Sequence, residues 1–333
     1  MKKIFLATAA IVILASCSKN ESELLKNSAN EIKFSNLNDR VTRAANDAGD
    51  NYRIYANSTM TSEASWFIND VINGSNPDIN KAQGGPYYWP AGETVDFYSY
   101  APAGSTNAAV TPTYAFGAPT FSVVYTVPTA ANEDFTIATP MLGLDKTAGS
   151  NTGTVDFTFN HMLSKIEVTA TLSAALTASN YVINLTNATV TLTVASNQGT
   201  LNAMSGAATF TSIGGSPLPY TGAKSYMIMP QTSTGTKIQL NGVVITRNGV
   251  TVFPVSGGAT DLKEYTILAG DVTDALNNTD VFLKNTHYTL NLELQGTSHD
   301  DDDELIFGEE IKFSATTATW LTGGFITPNP VQP

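Results

Sequence analysis

Apolar and polar residues alternate with a period of two along most of this chain. In LSKIEVTATL, Ile166, Val168, Ala170 and Leu172 fall on one face, and Lys165, Glu167, Thr169 and Thr171 fall on the other. That is the pattern of a half-buried strand. YTLNLEL repeats it, with Tyr288, Leu290, Leu292 and Leu294 alternating with Thr289, Asn291 and Glu293. Segments rich in β-branched and aromatic residues predict further strands over 94–100, 120–127, 134–139, 154–159, 181–194, 225–229, 237–246 and 304–313. Asn248 and Gly249 sit between two such runs and tolerate positive φ, which predicts a two-residue type I′ hairpin turn. No stretch predicts a long helix. Many short strands with turn residues between them point to an all-β chain of antiparallel sandwiches.

The first residues break this pattern. Lys2 and Lys3 precede an apolar run from Ile4 to Leu14, then small Ala15 and Ser16, then Cys17 and the polar residues Ser18, Lys19, Asn20 and Glu21. The run is shorter than the roughly 20 apolar residues a spanning helix needs, and its grammar is that of a cleaved export signal. Leu14, Ala15, Ser16 and Cys17 resemble the lipobox of bacterial lipoproteins, which implies that Cys17 is acylated and becomes the new N-terminus. Cys17 is the only cysteine, so it has no partner for a bridge within the chain. Acyl chains contribute about 0.8 kcal/mol per buried methylene, so a multiply acylated cysteine is a firm membrane anchor. An exported chain without disulfides relies on its cores and strand ladders.

Charged residues make up only 14% of the chain, and the net charge is −12. Nucleic-acid partners are excluded on that ground, because phosphate binding needs clustered Lys and Arg. The length exceeds what one core usually serves. A boundary near Asn160, beyond the Thr-, Gly- and Ser-rich stretch at 146–153, divides the chain into a signal (1–16), a leading segment (17–43), an N-terminal domain (44–160) and a C-terminal domain (161–333).

Sites for chemistry are scarce. His161, His287 and His299 are scattered, and there is no H-E-x-x-H, G-x-S-x-G, G-x-G-x-x-G or Walker loop. His161, at the start of a strand, reads as a hydrogen-bonded junction residue, since one imidazole without a partner carries no mechanism. Neither an enzyme nor a cofactor is expected. Asp300, Asp301, Asp302 and Asp303 lead into Glu304, and calcium is the cation such carboxylates would suit. The run lacks the glycine and alternate spacing of a calcium loop, so it reads as a solvated loop and no metal is expected. Trp66, Tyr87, Tyr88 and Trp89 are weighed as a glycan-stacking platform against plain core packing, and packing is the expectation.

The order YYWPAGETVDFYSYAP (87–102), EDFTIAT (133–139), VDFTFNHMLSKIEVT (155–169), FLKNTHYTLNLEL (282–294) and a closing strand ending in Trp320, all behind the lipobox, resembles the fimbrillin family of Bacteroidales. That family comprises subunits of type V pili. The resemblance implies two transthyretin-like antiparallel β-sandwich domains in tandem, export as a lipoprotein to the outer-membrane surface, assembly with other pilus subunits and a role in adhesion to a host or bacterial surface ligand.

It also implies cleavage after an arginine. Arg43 in VTRAAND is the first candidate and Arg40 in NDRVT the second. Cleavage would release the strand EIKFS, whose Ile32 and Phe34 cover an edge of the N-terminal domain, and a strand from another subunit would take its place by β-strand addition. The donor is expected among the C-terminal residues Ile311, Phe313, Trp320 and Leu321. Pro328, Pro330 and Pro333 cannot donate ladder hydrogen bonds, so shaft, tip and anchor positions all remain open. The alternative is a lipid-anchored glycan-binding or adhesin module that never polymerises.

Overall fold

Short β-branched and aromatic segments, punctuated by Gly, Asn and Pro, fold as strands almost throughout. The computed structural model describes residues 30–36, 51–58, 65–73, 84–113, 120–128, 133–146, 154–202, 210–212, 218–222, 225–254, 264–272, 280–295 and 311–319. Among them the single α-helix is the five-residue turn Ala174–Ala178, whose N-cap Ser173 hydroxyl accepts from the Leu176 N–H at 3.4 Å. The chain is all-β, and among the described residues its sheets are antiparallel apart from two parallel pairs.

One sheet runs in the order Phe159–His161, Thr136–Ala138, Val95–Ala101, Asn51–Ser58, Ile68–Asn73, with Met141–Leu144 also pairing to Val95–Ala101. Both of its faces are covered. Tyr52, Ile54, Val95 and Phe97 point into one apolar cluster, while Tyr55, Tyr98 and Tyr100 belong to a second. Six of the seven residues of Val95–Ala101 are accordingly buried, with only Asp96 partly exposed.

The second cluster is the larger. It packs the tyrosine face of that sheet against Phe121, Val123 and Tyr125 of the strand Thr120–Thr126. Phe121 is the hub, with ring centroids 5.5 Å from Tyr55, 6.4 Å from Tyr98 and 6.1 Å from Tyr100. The sheet containing it has the order Phe210–Ser212, Gln198–Asn202, Thr120–Thr126, Ala108–Thr113, so strands from either side of residue 160 share one ladder. Glu133 ties down this region. Its carboxylate accepts from Ser105 Oγ at 2.5 Å, Tyr125 OH at 2.9 Å and Asn107 Nδ2 at 3.1 Å.

The remainder of the second cluster lies between two four-stranded sheets. One has the order Ser225–Ile228, Ser164–Leu172, Thr286–Leu294, Ile311–Thr319, and the other Leu218–Gly222, Thr189–Val194, Lys237–Asn241, Tyr265–Thr266. The strand pair 164–172 and 286–294 is parallel over nine partners, from Ser164↔Thr286 to Leu172↔Leu294. Its buried alternation matches the sequence expectation.

Several expected strands have different bounds, and 154–159 divides at Thr158 into Thr154–Phe157 and Phe159–His161, which lie in different sheets. The stretch 181–194 divides into Tyr181–Asn184 and Thr189–Val194, which lie in different sheets. Between them Asn184 Oδ1 accepts from Thr186 N–H at 2.9 Å and the chain turns. The stretch 237–246 breaks at Gly242, whose φ is +70° and whose Cβ, if it had one, would lie 3.1 Å from the Asn187 carbonyl oxygen. The last strand runs Ile311–Thr319, beyond the expected end at Phe313, because its small and Thr-rich second half pairs with residues 286–290. The turn at Asn248 and Gly249 has φ of 48° and 82°, as a type I′ turn requires.

Candidate functional site

The leading segment, residues 30–36, is held by two stretches of chain in succession. Ile32 N–H donates to the Tyr87 carbonyl at 2.8 Å, and Trp89 N–H donates to the Asn30 carbonyl at 2.9 Å, around an antiparallel bridge between Glu31 and Tyr88. Beyond this bridge, Lys33–Asn36 pairs in parallel with Thr154–Phe157, in the register Lys33↔Thr154 to Asn36↔Phe157. The segment therefore fills a groove formed by two distant stretches of chain.

Side chains follow the pleat. Ile32 is 2% exposed and Phe34 1%, whereas Lys33 between them points to solvent. The Phe34 ring stacks on Phe157 (centroids 6.3 Å, planes 12° apart) and meets Phe97 edge-on at 6.0 Å. Tyr52, Phe97, Phe157 and Trp89 share its cluster. At the entrance, Lys146 Nζ donates to the Asn30 side-chain carbonyl. A recess of about 230 Å³ adjoins this contact, lined in part by Trp89, Glu93, Asp145 and Lys146.

Asp70 secures the 84–89 side of the groove. Its carboxylate accepts from Gly84 N–H at 2.5 Å and from Tyr87 OH at 3.3 Å. Burial, then the Asp70 charge and this hydrogen bond, push the Tyr87 phenol above its ordinary pKa, so it stays a donor.

Ile32 and Phe34 are thus both core residues of the N-terminal cluster. At the other end of the chain, Phe313 is half-buried and stacks on Tyr265 at 5.1 Å with planes 7° apart. Ile311 belongs to the same strand, which among the described residues pairs with Thr286–Leu294 alone. Cys17, Arg40, Arg43, Asp300, Asp301, Asp302, Asp303, Trp320 and Leu321 lie outside the described residues, as do the side-chain surroundings of Ile311. Among the described residues no group of three or more His, Cys, Asp or Glu could hold a metal ion.

Trp66, Tyr87, Tyr88 and Trp89 do not share one open face. Trp89 is 5% exposed and meets Phe97 edge-on at 5.8 Å. Trp66 packs on the second cluster, against Tyr55 at 5.4 Å and Tyr98 at 6.1 Å, while Tyr87 rests edge-on against Phe67 at 6.3 Å. Tyr88 is half-buried in the bridge to Glu31. Packing of the aromatic cores on the two sides of the sheet divides the four rings.

His161 Nδ1 lies 2.6 Å from Asp134 Oδ2, with both groups buried where the strand Phe159–His161 meets Thr136–Ala138. His287 lies on a different sheet, 3.2 Å from Glu167. The contribution of residues 87–89 and 154–157 to the groove has no local signature in the sequence, because a strand's neighbour across more than 100 residues is set by topology.

The fimbrillin-like family model matches residues 40–320. The chain belongs to the fimbrillin-like family. Among solved structures, this fimbrillin-like chain is similar to a fimbrial protein from Bacteroides vulgatus, with 16% identity, 88% of this chain and 100% of that chain covered, and a TM-score of 0.56. It is also similar to a candidate cell adhesion protein from Bacteroides uniformis (17% identity, coverage 89% and 99%, TM-score 0.53). A third likeness is to a fimbrilin from Porphyromonas gingivalis (9% identity, coverage 90% and 99%, TM-score 0.47). At these identities the first two likenesses establish the fold alone. No curated protein sequence matches the chain.

Proposed function

We propose that this fimbrillin-like chain is a structural subunit of a type V pilus, working at the cell surface in adhesion. It is exported as a lipoprotein through residues 1–16, tethered to the outer membrane at Cys17, cut after Arg43 (or Arg40), and assembled with other pilus subunits by strand exchange. Residues 44–333 remain, and the boundary expected near Asn160 is bridged by the ladder between Thr120–Thr126 and Gln198–Asn202.

The observation that carries this reading is the groove between residues 87–89 and 154–157, filled by a strand that lies upstream of both arginines. At about 1.5–3 kcal/mol for each fully buried apolar side chain, Ile32 and Phe34 together contribute about 3–6 kcal/mol of gross burial. Cleavage at Arg43 breaks the covalent link to that strand, and its departure leaves apolar walls and unpaired backbone groups that another strand satisfies. Main-chain hydrogen bonds supply affinity and the alternate pockets fix register.

The test is N-terminal mass spectrometry of surface protein from intact cells, for the parent and for Arg43→Ala. A mature start at Ala44 (or Val41) in the assembled parent, lost together with assembly in the variant, supports the reading. An acylated Cys17 persisting in the assembled form would sink it in favour of a non-polymerising lipid-anchored module.

A further inference from the structure

The recess beside the leading segment, about 230 Å³ in volume, draws its wall from three stretches of chain: Asn30, then Trp89, Pro90 and Glu93, then Asp145 and Lys146. We propose that it is a binding site for one neutral sugar ring. Such a site is independent of strand exchange, because it is formed with the leading segment in place.

The chemistry of the wall selects the ligand. Trp89 is 5% exposed, and its buried indole N–H has no acceptor among the described residues. A buried donor left unpaired is costly, so a ligand oxygen that reaches it is favoured. Lys146 is a second donor, with one of the three hydrogens of its ammonium given to the Asn30 side chain. Glu93 and Asp145 bring carboxylate acceptors to the same wall. Glu93 accepts from the Ser58 hydroxyl through Oε2 at 2.8 Å, which leaves the second oxygen of the carboxylate for a ligand.

An anion would face two carboxylates, and an amine would face Lys146 and leave the Trp89 N–H unanswered. A hydroxyl both donates and accepts, so a ring bearing several of them satisfies both sets of groups. Trp89 and Pro90 add apolar surface for the C–H face of that ring. The volume equals the share of about eight water molecules in the liquid, which is room for one ring. Trp66, Tyr87 and Tyr88 take no part, so this is a pocket and not a stacking platform.

Asn30 lies upstream of Arg40 and Arg43. On the strand-exchange reading above, departure of the leading segment removes that part of the wall. The sugar then binds the uncut chain more tightly than the cut one, and by linkage it holds the leading segment in place by the same factor.

The test uses an uncut chain carrying Arg40→Ala and Arg43→Ala, isotopically labelled at the tryptophan nitrogens. The Trp89 indole resonance is assigned by elimination with Trp66→Phe and Trp320→Phe, then followed by NMR during titration with D-glucose, D-galactose, D-mannose and N-acetyl-D-glucosamine. A ligand of about a dozen non-hydrogen atoms is expected to bind with a Kd on the order of millimolar. The expected result is a saturable shift of that resonance with at least one sugar, weakened about tenfold by Lys146→Met or by Glu93→Gln, each of which removes one charged partner. Glutamine keeps an acceptor for Ser58, and Lys146 is exposed, so both variants should melt with the parent. Unchanged affinity in both variants would place the sugar elsewhere and overturn the site. A resonance that acetate or ethylammonium moves and no sugar moves would overturn the ligand class, and one that none of these probes moves would overturn the proposal outright.

Discussion

Replacing Phe34 by alanine in an uncut chain measures directly how firmly the leading strand belongs to the core. Phe34 is 1% exposed and its ring contacts Phe97 and Phe157 at centroid distances of 6.0 and 6.3 Å. Truncating a buried phenylalanine costs about 3–5 kcal/mol, from lost transfer energy and the cavity left behind. Phe34→Leu keeps most of the volume and should cost under about 1.5 kcal/mol. Lys33→Ala, on the solvent side, should stay within about 0.5 kcal/mol. The assay is urea unfolding in an Arg43→Ala background, followed by tryptophan fluorescence, for which Trp89 in the same cluster is a local reporter. A Phe34→Ala chain within about 1 kcal/mol of its parent would refute the claim that this strand completes the N-terminal core.

Two further outcomes are expected. Gly242→Ala should lower the melting temperature more than Gly249→Ala: both glycines have positive φ, worth about 1–2 kcal/mol against an L-residue, but only at Gly242 would the new Cβ meet a backbone oxygen, Asn187 O at 3.1 Å. Equal losses would refute the steric argument. Burial, then the Asp96 charge, pushes the Tyr98 phenol up to about 12, and burial, then Tyr55, pushes Tyr100 up to about 12 against the opposing pull of Arg53. In the unfolded chain these phenols ionise near pH 10. The stability linked to them is therefore full below pH 10 and lost as the pH rises from 10 to 12. Ultraviolet titration of folded protein should show these tyrosines resisting ionisation, and Tyr98→Phe should flatten the alkaline loss of stability.

The strands at 164–172 and 286–294 are legible in the sequence because each buries one face, which converts geometry into alternation. At Val95–Ala101, buried on both faces, Asp96 and Ser99 interrupt the apolar residues, and nothing local in the sequence shows that the strand lies between two cores. The breaks at 185–188 and Gly242 depend on an approach of the backbone at Asn187, a contact no local pattern contains. Ile32 and Phe34 are legible as the inward side of the leading strand, but their neighbours are not.

Because strands Ala108–Thr113 and Thr120–Thr126 hydrogen-bond with Gln198–Asn202, the two halves of the molecule are stitched through a common ladder rather than strung on a linker. A rod assembled from such units has no internal hinge at that point. If the subunits assemble as proposed, such a rod would yield under flow or tension at the joints between molecules, and its stiffness would be set there.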